Sequence, residues 1–174
     1  MMITYKTLYG FEFVKIGCFI LDASPILVTY RGKGDTVNVS INFVDDLFKK
    51  SDESTYLILS DDEPVYVGEF SYNFEDRWLR NGCYIWHNKD FEIEEALKNH
   101  KEVSVWLIVD PFVALKNGTI INISKSIEQE ILKNSPPLWN KRGQLKKYAD
   151  WRLKNCIPVS TIIEKVLNKL IKKD

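Results

Sequence analysis

Between residues 26 and 68 the sequence alternates short apolar runs with turn-forming residues, and no helix of ordinary length fits between the turns. The stretch 26–43, ILVTYRGKGDTVNVSINF, puts Val37, Val39, Ile41 and Phe43 on one face of an extended strand, with RGKGD as the turn before it. That pattern predicts a β-hairpin. The runs 56–60 (YLILS) and 65–68 (VYVG) flank Asp61-Asp62-Glu63-Pro64, where the proline halts pairing and the acids favour a solvated loop. A second hairpin follows.

Helical spacing appears only in short stretches. Over 43–50, Phe43, Leu47 and Phe48 recur at helical intervals, predicting a short helix before the break at 51–54. Asn73 is a natural N-cap for FEDRWLR, whose Glu75 and Asp76 fall in the first turn, where the helix dipole favours them. Beyond the irregular aromatic stretch NGCYIWHNKD, a helix is expected over 91–99 and a central, nearly continuous apolar strand over 103–109. Ser124 or Ser126 can cap a helix through Ile127, Ile131 and Leu132, which must stop at Ser135 because Pro136 and Pro137 forbid continuation. Amphipathic helices are expected over about 144–154 and 160–172.

With 174 residues, 45% of them hydrophobic, the chain can bury one sizeable core, which excludes a disordered polymer or a fibre. The most apolar stretch, 16–28, is interrupted by Asp22 and Pro25, so no segment reaches the ~20 residues of a membrane span. The N-terminus lacks the basic-then-apolar layout of a signal peptide, and a cytoplasmic protein is expected. Cys18, Cys83 and Cys156 are widely spaced, with only His87 and His100 to complement them; reduced thiols fit better than a structural zinc site. Charge is uneven. Residues 1–132 carry 13 basic and 21 acidic side chains, and residues 133–174 carry 11 and 3. A basic tail on an acidic body suits either a polyanion contact or a solvated helical face.

The order of motifs is more specific than any one of them. Ser54-Thr55-Tyr56 and Tyr66-Val67-Gly68 put two tyrosines ten residues apart on paired strands, and Asn73, Phe74 and Arg77 follow. This resembles the opening of the GIY-YIG nuclease family, with Arg77 one residue later than the commonest spacing. A second half-motif is similar to the family's later helix: Glu128, then Ile131-Leu132, Pro137 and Asn140, the asparagine twelve residues after the glutamate. The resemblance covers about residues 54–141. It departs at STY, which lacks the family's first glycine, and at Glu69, where repair-type incision members carry a lysine. Glu128 comes 51 positions after Arg77, which implies an insertion about 81–102.

The resemblance implies an α+β fold, a small antiparallel β-sheet flanked by helices. On it are placed an N-terminal β-hairpin extension over 1–50, a catalytic core over 51–141 and a basic C-terminal helical tail over 142–174. It implies a metal-dependent endonuclease that hydrolyses DNA phosphodiester bonds, of restriction type by analogy with stand-alone members. Tyr56, Tyr66, Arg77, Glu128 and Asn140 would form the catalytic set on one concave surface. Glu128 would hold one Mg²⁺ or Mn²⁺ per site. Arg77 would hold the scissile phosphate bidentately, and a tyrosine, Tyr56 before Tyr66, would act as base only with a nearby cation, since phenols titrate near 10. His87 either assists the leaving group or is structural. Lys141, Arg142, Lys146 and Lys147 would contact the DNA backbone. One site cuts one strand, so a double-strand break needs either a second engagement or a second subunit, a twofold homodimer on DNA being the favoured route. Singly, each residue also has a plain structural reading: core-edge tyrosines, a surface arginine, a solvated acid and a cap after proline. The alternative function is a catalytically weak nucleic-acid-binding or partner-binding module.

Overall fold

The computed structural model describes residues 3–30, 33–80, 84–85 and 89–140. Residues 1–140 form one compact unit, and its fold is α+β. In chain order the elements are β1 (Tyr5–Leu8), β2 (Phe11–Tyr30), β3 (Lys33–Phe43), a 3-10 turn (Asp46–Lys50), β4 (Ser54–Ser60), β5 (Glu63–Phe70) and α1 (Phe74–Trp78). Then come β6 (Leu79–Arg80), β7 (Tyr84–Ile85), α2 (Asp90–Lys98), β8 (Val103–Ile108), β9 (Phe112–Ala114), β10 (Ile120–Asn122) and α3 (Ser124–Asn134). No helix among the described residues is long and apolar enough to cross a membrane.

Six strands make one antiparallel sheet in the order β1-β2-β8-β4-β5. β3 pairs β2 as well, and because Gly17 pairs both Phe43 and Val105, β3 lies on the edge of β2 away from β8. The expected hairpin over 26–43 is therefore only the distal part of a longer one, whose first strand begins at Phe11 and breaks register between Leu21 and Ile26. The tyrosine hairpin is tighter than expected. Its loop is Asp61-Asp62 alone, both at positive φ, the two-residue geometry that matches strand twist. Pro64 does not end the pairing; it faces Leu59 at a register shift on the end strand, where its missing N–H costs no ladder bond.

Both faces of the central strands are covered, which explains why β4 and β8 read as nearly continuous apolar runs. Tyr56, Ile58, Val105 and Leu107 face α1 and α2 through Phe74, Trp78, Ile93 and Ala96. Leu57, Leu59, Trp106 and Ile108 face α3 through Ile127, Ile131 and Leu132. The N-cap of α1 is Asn73, as expected, but the helix stops at Trp78 and Leu79–Arg80 turns into a strand. At α3 the expected serine cap is absent: Asn122 Oδ1 accepts the Ser124 N–H at 2.8 Å in its place, and the helix ends at Ser135 ahead of the prolines. The helices expected over 144–154 and 160–172 lie outside the described residues.

Candidate active site

Tyr56 stands on β4 opposite Gly68 of β5. A Cβ at position 68 would collide with the Tyr56 hydroxyl and ring, so the glycine of the second motif lets the first motif's tyrosine lie across its neighbour strand. The ring is 0% exposed and boxed by Trp78, Tyr66 and Phe70, with centroids 5.3, 5.9 and 6.2 Å away. Tyr66 lies two residues before Gly68 on the same strand face and is 8% exposed, making it the outer phenol of the pair.

Arg77, in the last turn of α1, donates to the Tyr56 hydroxyl, and Tyr56 donates onward to Tyr66. Burial pushes both phenols up, Tyr56 well above its ordinary value, and outweighs the opposing pull of Arg77. Desolvation acts against the Arg77 charge, but Tyr56, Tyr66 and Glu69 outweigh it and hold the guanidinium above its ordinary value. At neutral pH the three groups are thus a cation and two intact phenols joined by hydrogen bonds.

Glu128 approaches from the α3 side. Thr55 Oγ1 donates to the Ser124 carbonyl at 2.7 Å, and Asn122 Nδ2 donates to the Glu53 carbonyl at 2.9 Å, so the first turn of α3 is tied to the start of β4 one residue from Tyr56. Glu128 follows one turn later, half-buried. Burial and then the charge of Glu69 raise its carboxyl to about 7, against Arg77 and Lys125, which pull it down. Strand alternation puts Glu69 on the same sheet face as Val67, toward α3, and its charge reaches both Arg77 and Glu128. Tyr66 feels Glu128 as well. Four of the five expected residues are therefore connected: Arg77 to both tyrosines, and Glu128 by charge to Tyr66 and Arg77. Three are linked by hydrogen bonds on the sheet face toward α1, while Glu69 and α3, which carries Glu128, belong to the opposite face.

Asn140 does something else. Its Oδ1 accepts from Val67 N at 3.0 Å and its Nδ2 donates to Val67 O at 2.9 Å, while Trp139 N donates to Val65 O at 2.7 Å. The side chain is committed to the backbone of β5, between Tyr66 and Gly68. It fixes the strand that carries the site, using its carbonyl oxygen and one of its two amide N–H groups.

Lys89 was not anticipated. It is buried, pairs with Glu92 at 2.8 Å, and holds its ammonium 5.8 Å from the Tyr66 ring centroid, a second cation beside the phenol pair. Nothing in its sequence context marks it. His87, Lys141, Arg142, Lys146 and Lys147 lie outside the described residues. No group of three or more His, Cys, Asp or Glu able to hold a metal occurs among the described residues. An open cleft of about 270 Å³ runs beside Glu69 and Arg77. A larger one, about 340 Å³, lies among Tyr5, Phe48, Glu53 and Phe112 and contains none of the five residues.

No known protein family matches the chain, and no curated protein does. Among solved structures it is similar to a mutant of bacteriophage T4 EndoII, with 18% identity and a TM-score of 0.35 over 52% of this chain and 74% of that one.

Proposed function

We propose that the chain is a divalent-metal-dependent endonuclease of the GIY-YIG type that hydrolyses DNA phosphodiester bonds. The observation that carries this reading is the Arg77–Tyr56–Tyr66 hydrogen-bonded series with Glu128 acting by charge on Tyr66 and Arg77, from positions 51 residues apart in the chain. Arg77 holds the scissile phosphate and neutralises charge as the transition state forms. Tyr66, the outer phenol, holds the attacking water; with both phenols raised, its task at neutral pH is orientation, and Tyr56 fixes it from behind. That reverses the sequence-based preference for Tyr56 as the reactive tyrosine.

The donor set fits one hard cation. Glu128 is half-buried and feels the charge of a second carboxylate, Glu69, a repulsion that a divalent ion would relieve; Glu128 would hold the ion together with water and a substrate phosphate. When bound, such an ion, Mg²⁺ or Mn²⁺, supplies charge compensation at the phosphate. Lys141, Arg142, Lys146 and Lys147 of the basic tail add cations for the DNA backbone. One site nicks one strand, and restriction-type cleavage of both takes a second engagement or a twofold pair on the DNA.

A plasmid-nicking assay tests the reading. Glu128→Ala is expected to lose Mg²⁺-dependent nicking while DNA binding persists, and Arg77→Ala to lose both. Undiminished nicking by Glu128→Ala with chelator present would overturn it. The rival, a binding module without catalysis, is favoured by the complete burial of Tyr56, and predicts wild-type chain that binds DNA and never nicks it.

A further inference from the structure

We propose that the cleft between the end of β5 and α1 is a nucleobase subsite, in which the ring of Tyr72 stacks on the base flanking the phosphate held by Arg77. The inference rests on the nuclease reading and extends it from the phosphate to the nucleotide.

The cleft is lined by Glu69, Ser71, Tyr72, Asn73, Asp76 and Arg77. At about 270 Å³ it is smaller than the roughly 300–1,000 Å³ pockets that enclose drug-sized ligands, a size suited to one base. Tyr72 is 78% exposed, whereas the other aromatic side chains of this region, Tyr56, Tyr66, Phe70 and Phe74, are all under 10%. A single exposed aromatic needs no explanation in itself. Here it stands between Phe70, paired with Ser54 in the sheet, and the capped start of α1. Asn73 Oδ1 accepts from Asp76 N at 2.8 Å, Asn73 Nδ2 donates to Asp76 Oδ2 at 2.9 Å, and Phe74 N donates to the Ser51 carbonyl at 3.2 Å. Little loop freedom is left to lose when a planar partner lands on the ring, which keeps the entropic cost of stacking low.

Charge assigns the ligand's orientation. Glu69 and Asp76 repel phosphate, so within the cleft a phosphate can sit only against Arg77. The same carboxylates accept hydrogen bonds from the exocyclic amino groups of adenine or cytosine. A nucleotide laid with its phosphate on Arg77 brings its base toward Tyr72 and those acceptors. Base–aromatic stacking is sequence-tolerant and contributes about 1–3 kcal/mol per base, so the subsite adds affinity while the acids bias which base is preferred.

The test uses the full chain. Wild-type cut positions on a plasmid are mapped, and a duplex carrying 2-aminopurine next to the cut phosphate is bound to the non-cleaving Glu128→Ala chain, with and without Tyr72→Ala or Tyr72→Trp. Quenching of the 2-aminopurine is expected with Tyr72 or Trp at this position and not with Ala. In chains that retain Glu128, Tyr72→Ala should raise KM roughly tenfold with kcat within about twofold, and Tyr72→Trp should restore it. Unchanged KM together with quenching that survives Tyr72→Ala overturns the subsite and leaves the nuclease standing. Should the wild type never nick, 2-aminopurine oligonucleotides scanned through the probe decide the matter: Tyr72-dependent quenching supports the subsite without the chemistry, and bound but unquenched probe, or no binding, overturns it.

Discussion

Gly68 owes its identity to a neighbour's ring. Its backbone is ordinary strand, but the space a Cβ would take is filled by the Tyr56 phenol. Gly68→Ala must push that ring off Trp78 and out of line with Arg77 and Tyr66, so it should cost about 1–3 kcal/mol, as overpacking does, and reduce nicking further than the stability loss explains. Urea unfolding midpoints and nicking rates on the same preparation separate the two effects. Tyr56→Phe probes the hydroxyl alone. The aromatic box survives, but Arg77 and Tyr66 each lose a buried partner, the costly way to remove a hydrogen bond. Lys89 shows where reading single residues stops: a lysine among charged neighbours looks solvated, and only the fold puts it over Tyr66.

β5 is the end strand of the sheet and carries Tyr66 and Gly68, so whatever steadies its outer edge steadies the site. Asn140 takes both backbone groups of Val67, imitating a further strand with one side chain. Asn140→Ala should speed exchange of the Val67 amide and lower stability by about 1–3 kcal/mol, the cost of leaving such groups unpaired, with Asn140→Asp restoring only the acceptor half; hydrogen exchange measured amide by amide checks this. The same strand shows what was legible beforehand. The tyrosine hairpin, the Asn73 cap, the central β8 and the end of α3 at Ser135 were all written in period, cap and proline signals. Pro64 misled because its exclusion from strands does not apply at a register shift on an edge. The β9–β10 hairpin was missed because three-residue strands with Phe112, Val113, Ile120 and Ile121 all exposed carry no in-out alternation. Of the candidate site, the residue types and order were legible; the division of Glu128 from the tyrosines by the sheet, and the commitment of Asn140 to backbone, depend on register that no local signal encodes.

For the molecule as a whole, Glu128 couples charge to stability. Its carboxyl titrates near 4.5 when free and at about 7 when folded. Between those values the folded chain keeps a proton that the unfolded chain releases, so the unfolding free energy falls as pH rises through the window and levels off above about 7. With chelator present, the thermal midpoint should therefore decline from pH 5 to 7.5, and Glu128→Gln should flatten that part of the decline; an identical slope in both proteins would place the coupling elsewhere. The strand order has a consequence of a different kind, in time. β8 lies in the middle of the sheet, yet it is translated after β2 and β4, the strands on either side of it, which have no ladder with each other. Until Ile108 has left the ribosome, the N-terminal strands and the tyrosine hairpin each hold out an unpaired, apolar edge, and joining them waits on a segment that must insert between two finished pieces. The burial that sets the protonation of Tyr56 is thus acquired late, when more than half of the chain has already been made.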